Sequence, residues 1–370
     1  MWRVAYVHGD PKGHAVRGIG VYNKNLLPEL QKLGKKSGFS IESITNQLPT
    51  QAGDDIIHWP YFDFFFDTLK PASGAKNVVT VYDCVPLIYP KHYPAGFRGM
   101  VNFRKQKNAL KKADAVITIS ETSKKDIARF LGVPAQKIRV VYGSIGNRIR
   151  VMSEESKIGI RKQYHLPERF VLYVGDVNYN KNVINLVRAC KLAKLPLVIV
   201  GKHAIELEAK ANFEVNLEGP RDLYRWFLNK PHPEVAHYKE LLKEIEGTDL
   251  VKRLGFVKPI DFSAIFSLAS VYCQPSFYEG LGMGVLEAFT AGIPVVDART
   301  QALVEIAGDA AWYVNPRDYK DIATGLKKVI SDDKLRKELI LKGKKRLKFF
   351  SWVKTAKLVI DVYREVASGQ

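Results

Sequence analysis

A glycine-rich segment flanked by two glutamates carries the strongest chemical signal in this sequence. It runs from Pro275 to Glu287 as PSFYEGLGMGVLE, after the strand-like VYCQP and into the helix-like VLEAFTAG. Glycine lets the backbone come close to a ligand, and N–H groups at the start of a helix attract anions. The carboxylates of Glu279 and Glu287 can accept hydrogen bonds from sugar or ribose hydroxyls. The segment predicts a site for a phosphorylated polyol, and its plain alternative is a glycine turn with two solvated glutamates.

Two other strand-to-helix turns are candidates for phosphate binding. In YVGDVNYNKN, Lys181 and Asn182 open a helix after a strand, where a lysine can neutralise a diphosphate. Between the first strand and the first helix, Gly18 and Gly20 let the backbone approach phosphates. Each turn has a plainer alternative: an exposed lysine at a helix start, and glycines that serve tight strand-to-helix packing.

Together these motifs resemble glycosyltransferase family 4, whose members are retaining enzymes of the GT-B fold. The glutamates match its E-x7-E signature, the Lys181 turn is similar to its G-x-x-x-x-R-K-N turn, and the Gly18 segment to its G-x-G-x-Y stretch. The resemblance implies that Glu279 contacts the donor sugar, Glu287 binds the ribose hydroxyls, and Lys181 stabilises the leaving diphosphate in place of a metal. It also implies that backbone groups between the glutamates bind the sugar and diphosphate: Gly280, Leu281, Gly282, Met283 and Gly284.

The sequence departs from the family pattern at three positions. Asn180 stands where arginine is common, and Asp176 stands where some members have a phosphate-binding arginine. Of the lysine and arginine that bind the diphosphate in the family, this turn therefore has only the lysine. Either Lys181 suffices, or a cation comes from elsewhere. Tyr82 replaces the histidine of an H-D-x-x-P-L segment seen in members with mannose-type donors, whereas Asp83 is kept. Asp83 is therefore a catalytic candidate, with capping of the next turn as the alternative.

The remaining site assignments also follow from the resemblance. Gly255 and Phe256 end a strand where the family holds the nucleotide base by backbone groups. His14, Arg17 and Tyr82 are candidates for the acceptor side. No cofactor and no metal are expected, because the sequence has no D-x-D motif at a strand end and no His, Cys or carboxylate set with ligand spacing.

Short β-branched or apolar runs alternate with amphipathic stretches of helix length, which predicts an α/β fold of two doubly wound units. The resemblance implies the GT-B fold, with two Rossmann-like domains facing across a cleft. Residues 1–150, joined by a final helix at about 352–370, are expected to form the acceptor-side domain. Residues 151–351 are expected to form the donor domain, with an insertion at about 204–247 where prolines break the strand rhythm.

Composition narrows the class of protein. A chain of 370 residues exceeds the size at which one hydrophobic core usually stops growing, and 46% apolar with 26% charged residues is typical of globular proteins. The separated cysteines Cys84, Cys190 and Cys273 are expected to be reduced core residues. The sequence shows no signal peptide and no apolar run of membrane-spanning length, which predicts a cytoplasmic location. The net charge of +19 favours an anionic partner.

The basic stretch from Arg104 to Lys112, interleaved with apolar residues such as Phe97 and Met100, predicts an amphipathic helix. It suits an anionic leaflet at the inner face of a membrane, although most such helices are simply solvated. Nucleic acid is not expected, because no nucleic-acid-binding motif is present.

The sequence thus predicts a retaining, metal-independent glycosyltransferase. It would move a hexose, with mannose favoured, from a GDP- or UDP-linked nucleotide sugar to a saccharide or lipid-linked acceptor. Two alternatives remain open. One is a catalytically silent protein of the same fold that binds a nucleotide or sugar, and the other is a sugar-nucleotide epimerase or phosphorylase of this architecture.

Overall fold

The computed structural model describes residues 1–8, 18–45, 55–146, 149–150, 152–212 and 232–369. The chain divides into two compact units. The first unit comprises Met1–Ile88, Ala95–Gly146 and Phe350–Gln370, and the second comprises Tyr89–Pro94 and Asn147–Phe349. The short segment Tyr89–Pro94 therefore belongs to the second unit, although its neighbours along the chain belong to the first.

The first unit is built on a parallel six-stranded sheet. Its strands are β1 Trp2–His8, β2 Phe39–Thr45, β3 Ile56–Trp59, β4 Lys76–Thr80, β5 Ala115–Thr118 and β6 Ile138–Val140, in the order β2-β1-β3-β4-β5-β6. Its helices are α1 Gly18–Lys36, α2 Val85–Ile88, α3 Gly96–Lys111, α4 Glu121–Asp126 and the last helix of the chain, α15 Trp352–Ser368. A π-helical turn, Ile127–Leu131, continues α4, and a 3-10 turn, Ala135–Lys137, precedes β6. Strands β3 and β5 are buried along their whole length, as is usual where helices cover both faces of a parallel sheet.

The second unit has a parallel sheet of the same size. Its strands are β7 Val171–Val174, β8 Leu197–Val200, β9 Val251–Leu254, β10 Val271–Gln274, β11 Val295–Ala298 and β12 Trp312–Val314, in the order β12-β11-β10-β7-β8-β9. The helices described in this unit are α5 Glu154–Gln163, α6 Val183–Ala193, α7 Lys202–Ile205, α8 Leu207–Ala211, α9 Pro233–Glu246, α10 Pro259–Leu268, α11 Met283–Ala291, α12 Gln301–Ala307, α13 Tyr319–Ser331 and α14 Asp333–Arg346. The 3-10 turns Tyr179–Lys181 and Leu347–Phe349 complete it. The predicted α/β class with two doubly wound sheets is confirmed.

The order of the second sheet creates a topological switch point. From β7 the chain first adds β8 and β9 on one side, and then returns to place β10 and β11 on the other side. Ligands of open α/β sheets bind outside the carboxyl ends of the strands where the order reverses, which here is between β7 and β10. The turn with Lys181 follows β7, and the segment with Glu279 follows β10. The two strongest sequence motifs therefore meet at one edge of this sheet.

Helices α8 and α9 lie within the segment 204–247 that was predicted to be an insertion, and they pack on the core of the second unit. Leu207, Tyr238 and Leu241 belong to the same apolar cluster as the strands β7 and β8. Residues 213–231 lie outside the described residues, so the assignment of 204–247 as an insertion stays a prediction. Cys84, Cys190 and Cys273 are all buried and form no disulfide. Among the described residues, no helix is both long enough and apolar enough to cross a membrane.

A buried histidine fastens the last helix to the first sheet. His58 on β3 is fully buried; its Nδ1 lies 2.6 Å from the hydroxyl of Tyr363 on α15, and its Nε2 lies 2.8 Å from Thr80 Oγ1. Burial lowers the pKa of His58 from 6.5 to about 3. The imidazole is therefore neutral in the folded protein across the physiological range.

We expect this histidine to make the stability of the first unit depend on pH. Because its folded pKa is depressed, its contribution is fully present above pH 6.5 and is lost as pH falls from 6.5 towards 3. The free energy of unfolding should lose up to about 1.4 kcal/mol per pH unit in this window relative to His58→Gln, which cannot titrate. Urea unfolding of both proteins between pH 7.5 and 4.5 measures this. A stability difference that does not change with pH would contradict the assignment.

Candidate active site

The glycine segment after β10 folds as a tight turn into α11. Gly282 adopts φ +98°, in the left-handed region that favours glycine, and immediately precedes the helix. At Gly284 an added Cβ would lie 2.0 Å from the hydroxyl oxygen of Tyr272, so a side chain does not fit there. The first N–H groups of a helix have no partner within the helix, and the helix dipole is positive at this end. The turn therefore offers backbone donors to an anion, as the sequence predicted.

Lys181 and Glu279 form an ion pair beside this turn. The Lys181 Nζ lies 2.8 Å from Oε1 and 2.7 Å from Oε2 of the carboxylate, so the contact is bidentate. The Lys181 side chain is 24% exposed and that of Glu279 is 9% exposed. The ammonium thus keeps access to solvent while the carboxylate is nearly buried. Such an arrangement can present a positive charge to a ligand.

Two polar side chains of the same segment hold the carboxylate of Glu279. Gln274 Nε2 donates to Glu279 Oε1 at 2.8 Å, and Ser276 Oγ donates to the same oxygen at 2.7 Å. Gln274 Nε2 also lies 2.8 Å from Ser276 Oγ, and Tyr272 donates to Gln274 Oε1. Sequence reasoning missed Gln274 and Ser276 as site residues. The available signal was their polarity at the end of an otherwise apolar strand that leads into the glycine turn.

Glu287 lies on α11 and is 5% exposed. The pKa of Tyr272, on strand β10, responds to the acidic groups around it. Burial first, then Tyr173 and the carboxylates of Glu287, Glu279 and Asp297, raise the pKa of Tyr272 well above its usual value. Both glutamates of the E-x7-E signature therefore act electrostatically on one buried tyrosine of β10, the strand that leads into the glycine turn.

The Lys181 turn is held by its neighbour in sequence. Asn182 adopts φ 56° between the 3-10 turn and α6, a conformation that asparagine tolerates better than most residues. Its side-chain Nδ2 donates to the carbonyl of Pro275 at 2.8 Å and to that of Pro316 at 2.6 Å. Asn182 is thus built into the backbone around the site. A role in donor binding stays a prediction.

Asn180 and Asp176, the two departures in this turn, both have protein partners. Asn180 is 5% exposed, and its Nδ2 donates to the carbonyl of Tyr278 at 3.1 Å. Asp176 lies 3.2 Å from Nδ1 of His203. Neither position supplies a cation. Lys181 is therefore the basic side chain that this turn brings to Glu279.

The other predicted donor-site residues of the second unit follow β9 and β10. Gly255 and Phe256 come directly after β9 at the sheet edge, and Phe256 is 68% exposed. An added Cβ at Gly255 would lie 2.4 Å from the side chain of Ile205. Gly280 and Leu281 are buried within the glycine turn. Their contacts with a donor stay predictions.

The remaining candidates belong to the first unit. The helix α1 begins at Gly18 and includes Gly20, so these glycines form its first turn and do not precede it. Asp83 Oδ1 accepts from the N–H of Val85 at 3.0 Å, the capping contact that the sequence left open as an alternative. His14 and Arg17 lie outside the described residues.

Tyr82 turns its hydroxyl into the first unit. The hydroxyl donates to the carbonyl of Pro60 at 3.1 Å and lies 3.2 Å from Asn23 Oδ1, and the residue is 8% exposed. Burial, followed by the nearby Tyr22, raises its pKa well above the usual value. The hydroxyl is therefore neutral and hydrogen-bonded within the protein. An acceptor-side role for Tyr82 stays a prediction.

Metal-ligating residues are not grouped in the part of the chain that the structure describes. Within these ranges, no set of three or more His, Cys, Asp or Glu side chains has the geometry to hold a metal ion.

Comparison with known families decides the class of this protein. The family described as "Glycosyl transferases group 1" matches residues 157–346, more than half of the chain. The chain belongs to the group 1 glycosyl transferases. A second family, "Glycosyltransferase Family 4", matches residues 43–145 of this glycosyltransferase. The resemblance inferred from the E-x7-E signature is confirmed, and the protein is a glycosyltransferase enzyme.

Relatives of this glycosyltransferase include bacterial mannosyltransferases. It is 24% identical over 317 residues to the O-antigen chain mannosyltransferase B of Escherichia coli, a match that covers 84% of this chain and 74% of that one. It is 25% identical over 310 residues to the serotype-specific mannosyltransferase WbdA of Escherichia coli, with 80% of this chain and 35% of that one covered. The glycosyltransferase thus spans about a third of WbdA.

Solved structures share the fold at low identity. Sucrose-phosphate synthase from Thermosynechococcus elongatus has a TM-score of 0.70 at 18% identity, with 100% of both chains covered. HepE of Anabaena, solved in complex with UDP and glucose, has a TM-score of 0.68 at 16% identity and covers 98% of this chain and 100% of its own. The predicted GT-B fold is confirmed.

Proposed function

We propose that this glycosyltransferase is a retaining, metal-independent mannosyltransferase. It takes mannose from a nucleotide sugar, GDP-mannose in preference to a UDP-linked sugar, and transfers it to a saccharide or lipid-linked acceptor. The observation that carries the proposal is the Lys181–Glu279 ion pair beside the glycine turn that leads into α11, at the switch point of the second sheet. That place combines a cation, backbone donors and a held carboxylate, which are the groups that a sugar diphosphate requires.

In this proposal the leaving diphosphate binds at the start of α11. Negative charge develops on the diphosphate as the bond to the sugar breaks, and Lys181 with the helix N-terminus stabilises that charge. These groups supply the positive charge, so the proposed reaction uses no resident metal. The donor phosphate takes the proton of the acceptor hydroxyl. The acceptor oxygen then bonds to the anomeric carbon of the sugar on the same face that the diphosphate leaves, so the configuration is retained.

The two glutamates have separate tasks in the proposal. Glu279, whose carboxylate is fixed by Gln274 and Ser276, accepts hydroxyl hydrogen bonds from the donor sugar. Glu287, about one turn after the start of α11, binds the ribose hydroxyls. A carboxylate that is already held in place loses little conformational entropy when the sugar binds.

Two findings support mannose as the sugar. The relatives include enzymes named mannosyltransferases, one of them the O-antigen chain mannosyltransferase B of Escherichia coli. The Asp83 segment also retains most of the motif that members with mannose-type donors share. A polysaccharide or glycolipid acceptor agrees with the named relatives.

We expect the purified protein to cleave GDP-mannose slowly with water in place of the acceptor, and UDP-linked sugars at least tenfold more slowly. Proton NMR of the released sugar should show the anomer of the donor before mutarotation. Lys181→Ala should lower kcat by about 100-fold or more, because it removes a charge that stabilises the transition state. Glu279→Gln should act similarly, since the amide no longer pairs with Lys181.

Lys328→Ala is the matched control, because this lysine lies in the last turn of α13 in the same unit and its side chain is 51% exposed. It should retain wild-type activity. Turnover of no nucleotide sugar, or an inverted anomer, would contradict the proposal. Interconversion of the free sugar nucleotide without release of sugar would instead support an epimerase.

We further propose that α3 binds an anionic membrane surface. Its first two turns expose Phe97 by 69%, Met100 by 51% and Val101 by 55%. Basic residues lie on the same outward face: Arg98, Arg104, Lys105 and Lys111. The helix contains no acidic residue. Apolar side chains beside basic ones suit the boundary between lipid headgroups and acyl chains, where each lysine or arginine contributes about 1 kcal/mol.

Sedimentation with vesicles tests this surface. Wild-type protein should bind vesicles that contain phosphatidylserine and not vesicles of phosphatidylcholine alone. The pair Arg98→Glu with Arg104→Glu should weaken binding at least tenfold. The pair Lys337→Glu with Lys345→Glu on α14 makes the same change in net charge and should leave binding unaffected. Equal loss in both pairs would show that only overall charge matters, and that result would refute a specific α3 surface.

A further inference from the structure

The segment Tyr89–Pro94 packs against the turn that bears Lys181. It forms one helical turn of its own, in which the N–H groups of His92 and Tyr93 both point to the carbonyl of Tyr89, at 2.9 Å and 3.0 Å. The His92 ring stacks on Tyr179 with ring centroids 3.3 Å apart and planes 8° from parallel. Tyr89 meets the same ring edge-on at 5.5 Å. The segment therefore packs on the turn Tyr179–Lys181 through two ring contacts with Tyr179.

A pair of hydrogen bonds links Tyr93 to Asn180. The Tyr93 hydroxyl donates to Asn180 Oδ1 at 2.7 Å, and the backbone N–H of Asn180 donates to the same hydroxyl oxygen at 3.3 Å. Asn180 is 5% exposed and Tyr93 is half-buried, so both contacts are partly shielded from water. Hydrogen bonds of this kind are more costly to break than exposed ones, because a buried acceptor is left without a donor.

The other end of the Asn180 amide reaches the glycine segment. Its Nδ2 donates to the carbonyl of Tyr278 at 3.1 Å, and its backbone carbonyl accepts from the N–H of Phe277 at 2.8 Å. Asn180 directly precedes Lys181, and Tyr278 directly precedes Glu279. One amide therefore fixes the backbone beside both members of the ion pair.

We infer that Tyr93, acting through Asn180, is a positioning residue that holds Lys181 against Glu279 in the geometry used for transfer. The inference rests on the proposed role of Lys181 at the diphosphate. Asn180 stands at the position where the family commonly has an arginine, so this chain has a neutral, hydrogen-bonded amide there in place of a second cation. Errors of about 1 Å in such a group lower rates by about 100-fold.

Tyr93→Phe tests the clamp, because it keeps the ring and removes only the hydroxyl. We expect kcat for cleavage of GDP-mannose to fall about tenfold, with KM changed less than twofold and the thermal midpoint close to that of Tyr164→Phe. Tyr164 is the matched control, because its hydroxyl donates to Asp261 at 2.8 Å in the same unit. Tyr164→Phe should retain wild-type kcat.

A double-mutant cycle separates positioning from a general effect on folding. In a Lys181→Ala background, Tyr93→Phe should cause less than a twofold further loss, because the group that it positions is absent. An equal loss in both backgrounds, or no loss in the wild type, would overturn the inference. If Lys181→Ala itself kept full activity, the proposed function of Lys181 would fail instead, so the two failures are distinguishable.

Discussion

The ion pair between Lys181 and Glu279 is the interaction on which the rest of the site depends. A carboxylate that is 9% exposed is stable only if its lost hydration is replaced, and here an ammonium and two neutral donors replace it. Charge-assisted bonds of this length are stronger than neutral ones and restrict the geometry of both partners. The pair therefore keeps a cation at the edge of the sheet before any ligand arrives, which lowers the reorganisation needed when charge develops there.

The sheet order explains why the two residues meet at all. Lys181 and Glu279 are far apart in sequence, but β7 and β10 are neighbours and parallel, so the turns after them lie at the same edge. Glycine at 282 permits the turn into α11, and the lack of a side chain at 284 lets the helix start close to Tyr272. The backbone donors and the cation thus come from neighbouring turns of one rigid layer, which is a better platform for precise placement than a long loop.

The sequence predicted those features of the structure that a local residue pattern determines. It did not predict those that depend on contacts between residues far apart in the chain. Strand β8 is a continuous apolar run of the kind that the sequence pattern predicts, whereas β2 lies at a sheet edge with polar residues such as Glu42 exposed, and its pattern is weaker. The motif around Glu279 located the turn, but the contacts of Gln274 and Ser276 with its carboxylate required coordinates. In the sequence, Asn180 was notable only because it stands where the family commonly has an arginine. The structure shows that its amide is buried and hydrogen-bonded to Tyr93 and to the carbonyl of Tyr278. The periodicity of the sequence likewise could not predict that Tyr93 belongs to the second unit, because this depends on its contact with Asn180, 87 positions away.

The central claim is that Lys181 and the start of α11 bind the donor diphosphate, and the most direct test compares GDP with GMP by titration calorimetry. The account predicts that GDP binds at least tenfold more tightly than GMP to the wild-type protein, and that Lys181→Met removes most of this ratio while leaving GMP affinity within about twofold. A ratio unchanged in Lys181→Met, with both nucleotides still bound, would contradict the account and place the diphosphate elsewhere.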